Sequence, residues 1–407
     1  MKRGIFKTCL VVSLLIFLTA RVMAQGGRIN TGKLKVVPGL TVQELYDDNI
    51  YLGNGKTEPE ESDWITHLMP GFGLNYSLQE RGSLSLGYEG DLAYYSDNDD
   101  NDWQTHKGMF NLAYQAPGGL IVDIDNIYTD AEDPYGNDAQ YKLGVPKTER
   151  WNNDLKANIG YDFGNRFKIT ASYNSYKQDY DLERDYTQDY DVNEVGAGFQ
   201  MRLLPKTWGF VRYHFGKRDY FTHPAGTGSN ESNDSDFDWL RVNAGLTWDT
   251  GARMIGELNL GYQWKDYDNE FDASTPPQRY EDKDTWIAST QVAFRVTPTK
   301  TVALSITRAL RESGSNTNEY FEDTGIGINL QQVIRTKFTL TVGGAYSQNN
   351  YNRPRQDDNY DANLGLDYRI RDWLRAGVGY KYRKKDSNYV ENDSTDNQFM
   401  VSLGAVY

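Results

Sequence analysis

Hydrophobic and polar residues alternate along most of this chain with a period of two. The last stretch keeps this pattern to the final residue. Its apolar positions are Phe399, Val401, Leu403, Ala405 and Tyr407, and polar or small residues lie between them. Side chains of a β-strand point alternately to opposite faces, so this period predicts a strand with one face in an apolar environment.

About 18 segments show the same alternation, and 16 is the alternative count. Each comes close to the roughly ten residues that a tilted strand needs to cross a bilayer. They are predicted to begin near Leu34, Trp64, Ser83, His106, Leu120, Asp154, Phe167, Glu194, Trp208, Leu240, Met254, Ile287, Thr301, Thr324, Phe338, Tyr360, Leu374 and Gln398.

The connections between these segments alternate between short and long. The short ones are rich in Gly, Pro, Asn and Asp, which favour tight turns, and the long ones are rich in acidic residues. Outer-membrane barrels have short periplasmic turns and long extracellular loops. The connection from Thr129 to Arg150, stiffened by Pro134 and Pro146, is our candidate for a loop that folds into the lumen.

A soluble β-sandwich would also alternate, so the charges and the aromatic residues must decide between the two folds. In the ten clearest strands the apolar faces hold no charged residue, whereas the opposite faces hold about 17. Tyr and Trp cluster near predicted strand ends, for example Trp64, Trp151 and Trp373, as in aromatic girdles. We therefore predict an all-β fold, a transmembrane antiparallel β-barrel over residues 34–407.

Residues 1–24 are typical of a secretory signal peptide. Three basic residues precede an apolar run from Cys9 to Ala20, and a cut is predicted before Gln25. Residues 25–33 are then a short periplasmic segment. The only cysteine lies in the predicted signal, so the mature chain is expected to have no disulfide.

The composition excludes two classes of protein. The chain holds 30 Tyr, 16 Phe and 9 Trp, although its mean hydropathy is −0.71. This aromatic content argues against disorder over the whole chain. The formal charge is −14, and about −18 once the basic residues of the signal are removed, so the chain is a poor candidate for nucleic-acid binding.

The polar strand faces are predicted to line a water-filled lumen, because a barrel of 16 to 18 strands leaves an aqueous channel. The cations could guide an anionic polymer, or they could pair with the acids and only hydrate the lumen. The predicted pore-lining residues are Glu89, Asp91, Lys156, Asp162, Lys168, Arg202, Arg212, Arg241, Glu257, Arg295, Asp367, Arg375, Lys381 and Arg383.

No motif in the sequence indicates catalysis, and we expect no cofactor. The histidines are His67, His106, His214 and His223, and His223 alone lies in a long acidic loop where a rim catalyst could sit. The acidic stretches Ser96–Asp102 and Asn230–Asp236 could bind Ca²⁺, although they lack the spacing and the fixed Gly of an EF-hand loop, or they could form weak divalent bridges to lipopolysaccharide. We read them as solvated loop tips and predict no metal site.

Two stretches resemble a known family. They are VVPGLTVQELYDDNIYL, from Val36 to Leu52, and MPGFGLNYSLQERGSLSLGYEG, from Met69 to Gly90. Both are similar to the putative beta-barrel porin 2 family, outer-membrane proteins often encoded among exopolysaccharide biosynthesis genes. The resemblance implies a barrel of about 18 strands that carries a secreted polysaccharide. The aromatic C-terminus, Phe399 to Tyr407, resembles the signal that the barrel-assembly machinery reads.

Three functions remain open from the sequence. The first is export of an exopolysaccharide through the lumen, with membrane lipids, lipopolysaccharide, the barrel-assembly machinery and a periplasmic export protein as expected partners. The second is a nonspecific or solute-specific diffusion porin. The third, of a different class, is a barrel that serves as a surface enzyme or an adhesin.

Overall fold

The computed structural model describes residues 29–134, 147–164, 166–221, 235–249, 251, 253–271, 277–313 and 319–407. The strands are β1 Ile29–Thr31, β2 Leu34–Asp47, β3 Asp63–Ser77, β4 Gly82–Tyr95, β5 Trp103–Gln115, β6 Leu120–Asp133, β7 Thr148–Phe163, β8 Phe167–Tyr180, β9 Tyr190–Leu204, β10 Thr207–Tyr220, β11 Phe237–Asp249, β12 Met254–Tyr267, β13 Lys283–Thr297, β14 Lys300–Glu312, β15 Tyr320–Ile334, β16 Phe338–Tyr351, β17 Gln356–Arg369, β18 Leu374–Ser387 and β19 Ser394–Val406. Short 3-10 helices lie at Gln79–Arg81, Asp99–Asn101, Glu183–Gln188 and Val390–Asn392.

Strands β2 to β19 form one closed antiparallel barrel of 18 strands. Each strand pairs with the next one along the chain, and β19 returns to pair with β2 from Gln398↔Asp47 to Val406↔Gly39. The predicted fold and strand number are confirmed. Strand β1, within the predicted periplasmic segment 25–33, pairs with β2 from Ile29↔Val36 to Thr31↔Leu34. It pairs with the first residues of β2, beyond the point where the pairing of β2 with β19 ends.

The seam between the first and last barrel strands is held by side chains from the start of the first long connection. Asp48 accepts hydrogen bonds from Asn397 N and Asn397 Nδ2, both at 2.7 Å. Asn49 donates from Nδ2 to the carbonyl of Thr395 at 2.8 Å. Asp47 accepts from Gln398 Nε2 at 2.8 Å. The Asp-Asp-Asn sequence of this segment therefore fastens the end of β2 to β19.

The alternation in the sequence corresponds to two different barrel faces. Paired residues share a face, and nearly all large exposed apolar side chains of the barrel strands fall on the same face, for example Ile328 at 57%, Val195 at 53% and Val401 at 59%. An exception is Ile255, at the short-turn end of β12, which lies on the other face. Because the sheet is closed and hydrocarbon is the only partner for such a surface, this is the outer, lipid-facing side. Phe399, Leu403 and Tyr407 are also on it.

The strands extend further at the long-loop end than the sequence predicted. Strand β5 begins at Trp103 rather than His106, β13 at Lys283 rather than Ile287, and β17 at Gln356 rather than Tyr360. These additional strand residues place polar side chains on both faces. The alternation of apolar and polar residues that predicted the strands is therefore absent there. Outward-facing charges occur in these extensions, such as Asp358 and Lys384.

The connections confirm the predicted asymmetry. Those at one end hold two to four residues, and the longest at the other end, from Tyr220 to Phe237, leaves sixteen residues between the strands. The predicted loop Thr129–Arg150 is shorter than expected, because Thr129–Asp133 belongs to β6 and Thr148–Arg150 to β7. Its residues 135–146, like the predicted signal peptide, lie outside the described residues, so its place in the lumen stays a prediction.

No helix among the described residues is both long enough and apolar enough to cross a membrane.

Candidate functional site

The face opposite the exposed apolar side chains lines the inside of the barrel. The strand register places all fourteen predicted pore-lining side chains on this inner face, and their role in permeation stays a prediction. They are Glu89 and Asp91 on β4, Lys156 and Asp162 on β7, Lys168 on β8, Arg202 on β9, Arg212 on β10, Arg241 on β11, Glu257 on β12, Arg295 on β13, Asp367 on β17, and Arg375, Lys381 and Arg383 on β18.

Glu194 on β9 is the centre of a polar network on the inner wall. It accepts hydrogen bonds from Asn174 Nδ2 on β8 at 2.9 Å and from Trp239 Nε1 on β11 at 3.0 Å. It also pairs with Arg241, and His214 Nδ1 on β10 lies 3.4 Å from its Oε1. Because the barrel curves inward, side chains of three neighbouring strands converge on one buried carboxylate of β9.

A second ion pair reaches across a whole strand. Arg212 on β10 donates to both carboxylate oxygens of Glu257 on β12, at 2.8 and 3.1 Å. Gly245 occupies the register position between them on β11, and a Cβ there would come within 2.6 Å of the Phe210 ring. The Arg212 guanidinium lies over that ring at 3.9 Å. The glycine thus leaves room for a flat arginine-carboxylate bridge on the wall.

Pairing with acids accounts for five of the nine predicted cations. Arg212 and Arg241 belong to the networks above. Lys156 lies 3.0 Å from Asp154, Lys168 lies 3.6 Å from Asp162, and Arg383 pairs with Asp396. For these five the structure favours the interpretation in which lumen cations neutralise lumen acids.

An acidic sector on β4 and β6 was recognised only in part from the sequence. Glu89 and Asp91 were predicted, whereas Asp123 and Asp125 on β6 were missed because that segment alternates poorly. Asn111 of β5 donates to Asp125 at 2.5 Å. Lys107 lies opposite Glu89 in the register and is the cation between the two acidic strands.

A neutral strip covers the inner faces of β13 to β16 and the facing part of β17 at mid-height. Between the ends of these strands, the described inward positions of β13 to β16 carry no charged side chain. The strip consists of Gln291, Ser305, Asn329, Gln331, Thr341 and Asn363. A Cβ on Gly343 would meet Asn363 Oδ1 at 2.3 Å and Asn329 Nδ2 at 3.0 Å. This glycine therefore allows two amides to converge on the wall.

The histidines and acidic loops give limited support to catalysis or metal binding. His67 Nδ1 lies 2.9 Å from Asp91 Oδ1, and His106 Nδ1 lies 2.8 Å from the Tyr88 hydroxyl on the outer face. His223, the candidate rim catalyst, lies outside the described residues.

Two groups of carboxylates in the described part of the chain are close enough to share a cation. They are Asp47 with Asp48 and Asp396, and Asp219 with Asp236 and Asp268. Each already has a basic partner, since Arg383 pairs with Asp396 and Lys217 lies 2.9 Å from Asp219. Among the described residues of the two acidic stretches, Asp236 is the one that takes part in such a group.

A family model described as putative beta-barrel porin 2 matches residues 24–406. Among solved structures, Pseudomonas aeruginosa OpdK with vanillate is similar at 10% identity and a TM-score of 0.47, over 91% of this chain and 99% of that chain. A BenF-like porin from Pseudomonas fluorescens Pf-5 is similar at 7% identity and a TM-score of 0.48, with the same coverage. No curated protein matches the chain.

Proposed function

The chain belongs to the putative beta-barrel porin 2 family, and from that premise we propose that it exports a secreted exopolysaccharide. It is a barrel of the bacterial outer membrane, and family membership supports a channel rather than an enzyme. A lumen enclosed by 18 strands is wide enough to be water-filled, which is the first requirement for a hydrated polymer.

The observation that carries the proposal is the neutral strip. Amide and hydroxyl side chains can both donate and accept hydrogen bonds. Sugar hydroxyls have the same double capacity, so a saccharide can exchange water for Asn329, Gln331 or Asn363 without leaving a buried group unpaired. No fixed charge on the strip would hold the polymer in one place, so binding stays weak enough for movement.

The paired cations agree with this assignment of the cargo. An anionic polymer held by arginine would have to compete with carboxylates such as Glu194 and Glu257, which already accept from Arg241 and Arg212. The neutral strip presents no such competition. We therefore propose that the hydroxyl groups of the polymer, more than its charges, contact the lumen.

Export also implies partners at both ends of the barrel. The short-turn end, which is periplasmic in outer-membrane barrels, would meet a periplasmic export protein that delivers the polymer. The aromatic face of β19 would be read by the barrel-assembly machinery, and lipopolysaccharide would surround the long-loop end. These three contacts are part of the proposal.

The test of the proposal is deletion of the gene with measurement of surface polysaccharide, together with conductance of the purified protein in planar bilayers. Loss of surface polymer and a wide pore that soluble polysaccharide blocks are expected. A pore with unchanged surface polymer would indicate a diffusion porin. No conductance at all would favour the surface enzyme or adhesin.

A pair of isosteric variants tests the role of the strip. Asn329→Asp with Gln331→Glu adds two charges to the strip while the shape of each side chain is kept. We expect polymer block to weaken several-fold while the open-pore conductance changes little. Asn158→Asp makes the same change at an inward position of β7, a strand that is already charged. An equal effect of both variants would contradict the special role of the strip.

A further inference from the structure

A cavity of about 200 Å³ lies in the inner wall near the long-loop end, on both sides of the seam. It is formed by inward-facing residues of β18, β19 and β2 to β5, with the start of the first long connection beside it. Its polar and aromatic lining comprises Asp47, His67, Trp103, Lys381, Arg383 and Gln398. A cavity of roughly 150 Å³ accommodates benzene, so this one is large enough for a six-membered ring.

His67 presents an unsatisfied nitrogen in this cavity. Its Nδ1 lies 2.9 Å from the carboxylate of Asp91, and its side chain is 10% exposed. A carboxylate only accepts, so Nδ1 carries a proton, and Nε2 is an acceptor when the ring is uncharged. Nε2 is buried and has no hydrogen-bond partner among the residues that the structure describes. A buried acceptor of this kind costs free energy unless a donor from a ligand or from water reaches it.

The walls around His67 combine an aromatic surface with fixed polar groups. The ring of Trp103 stands edge-on to His67, with the centroids 5.7 Å apart. Asp47 is held by the backbone N–H of Asn49 at 2.9 Å and by Gln398 at 2.8 Å. Leu45 and Ile65 complete an apolar floor. The lining is therefore mainly polar, with one aromatic surface and a small apolar floor, so a ligand has to bring hydrogen-bonding groups as well as an apolar face.

We propose that this cavity is a saccharide subsite that takes one pyranose unit at the extracellular mouth of the lumen. A sugar hydroxyl donates to His67 Nε2, Asp47 accepts from a second hydroxyl, and the apolar face of the sugar ring packs against Trp103. This inference rests on the proposed function, because it identifies where the leaving end of the polymer would pause. The required ligand is a ring with hydroxyl donors.

Binding of monosaccharides to the purified full-length barrel tests the subsite. The probes are glucose, galactose, mannose, N-acetylglucosamine and glucuronate, observed by saturation-transfer NMR and by tryptophan fluorescence. The variant His67→Phe keeps a ring beside Trp103 and removes the acceptor. We expect at least one probe to bind the parent protein and to bind this variant about fivefold more weakly, the effect of one hydrogen bond.

His106→Phe is the matched control, since the same change occurs on the outer face, and an unchanged gel mobility shift on heating checks that both variants are folded. If no probe binds, or if His67→Phe binds as well as His106→Phe, the subsite is wrong even when gene deletion still abolishes surface polymer. If deletion leaves surface polymer unchanged while His67→Phe loses sugar binding, the subsite holds and export fails.

Discussion

Asn49 makes the sharpest prediction about the barrel, because it joins the first and last strands and is only 1% exposed. Its Nδ2 donates to the carbonyls of Gly53 and Thr395, and its Oδ1 accepts from Gly53 N, each at 2.8 Å. The substitution Asn49→Ala removes all three bonds. It also leaves the buried amide of Gly53 without this acceptor.

The expected loss follows from that count. Each hydrogen bond contributes about 1 kcal/mol net, and a buried group left without a partner costs about 1–3 kcal/mol. Part of this cost is relieved where water reaches the edge of the connection. We therefore expect Asn49→Ala to lower the free energy of unfolding by about 2–4 kcal/mol. Asn49→Asp should cost more, because it replaces the donor facing two carbonyls and adds a charge beside Asp47.

The measurement is equilibrium unfolding of the barrel in lipid vesicles with guanidinium chloride, followed by tryptophan fluorescence. Asn388→Ala is the matched control, since Asn388 also makes two backbone hydrogen bonds, at 2.8 and 2.9 Å, but is exposed. Water can replace those bonds, so the control should lose less than about 1 kcal/mol. An Asn49→Ala variant as stable as the control would refute the idea that Asn49 holds the first and last barrel strands together.

Three further predictions concern the faces and the loops. Ile328→Arg puts a charge on the lipid face and should cost about 2–4 kcal/mol in the same unfolding assay, whereas Gln331→Arg on the inner face should cost little. Arg375→Glu with Lys381→Glu should shift the reversal potential of the pore toward cations, and an unshifted potential would mean that these side chains do not face the permeating ions. Burial raises the pKa of Asp189 in the β8–β9 connection to about 7. Its folded form therefore holds a proton that the unfolded chain loses near pH 4, so this connection loses stability as the pH rises through 7. Asp189→Asn should remove up to about 4 kcal/mol of that pH dependence, measured as amide exchange of Tyr180 between pH 4 and 8.

The sequence predicted which way each strand faces, and the reason is geometric. A strand has only two faces, so one unambiguous apolar residue such as Leu86 or Ile159 decides the side of every neighbour. In a closed barrel of regular strands, this alternation between the inner and the outer face continues along each strand. Each of the fourteen side chains assigned to the lumen by alternation therefore lies on the inner face in the register.

The partners of those side chains could not be predicted in the same way. Glu194 meets Trp239 and Arg241 because β9 and β11 are brought together by barrel curvature, which depends on the register of β10 with both neighbours. Alternation carries no information about register between strands. The cavity beside His67 was missed for the same reason, since its walls come from strands at both ends of the chain.

The polar ends of the strands explain the remaining error, the late strand starts, and they indicate how the barrel sits in the membrane. A strand of 14 residues, such as β16, is roughly 48 Å long at about 3.4 Å per residue, and a tilt of about 40° reduces its height to roughly 36 Å. The apolar band of such barrels is about 25 Å tall. About 10 Å of sheet therefore stands outside the hydrocarbon, where Asp358 and Lys384 can face outward in water or between lipid headgroups. Backbone pairing continues there because hydrogen bonds do not depend on lipid, whereas the apolar alternation ends with the lipid. Sequence periodicity thus measures the membrane-embedded height of the barrel and underestimates the length of its strands.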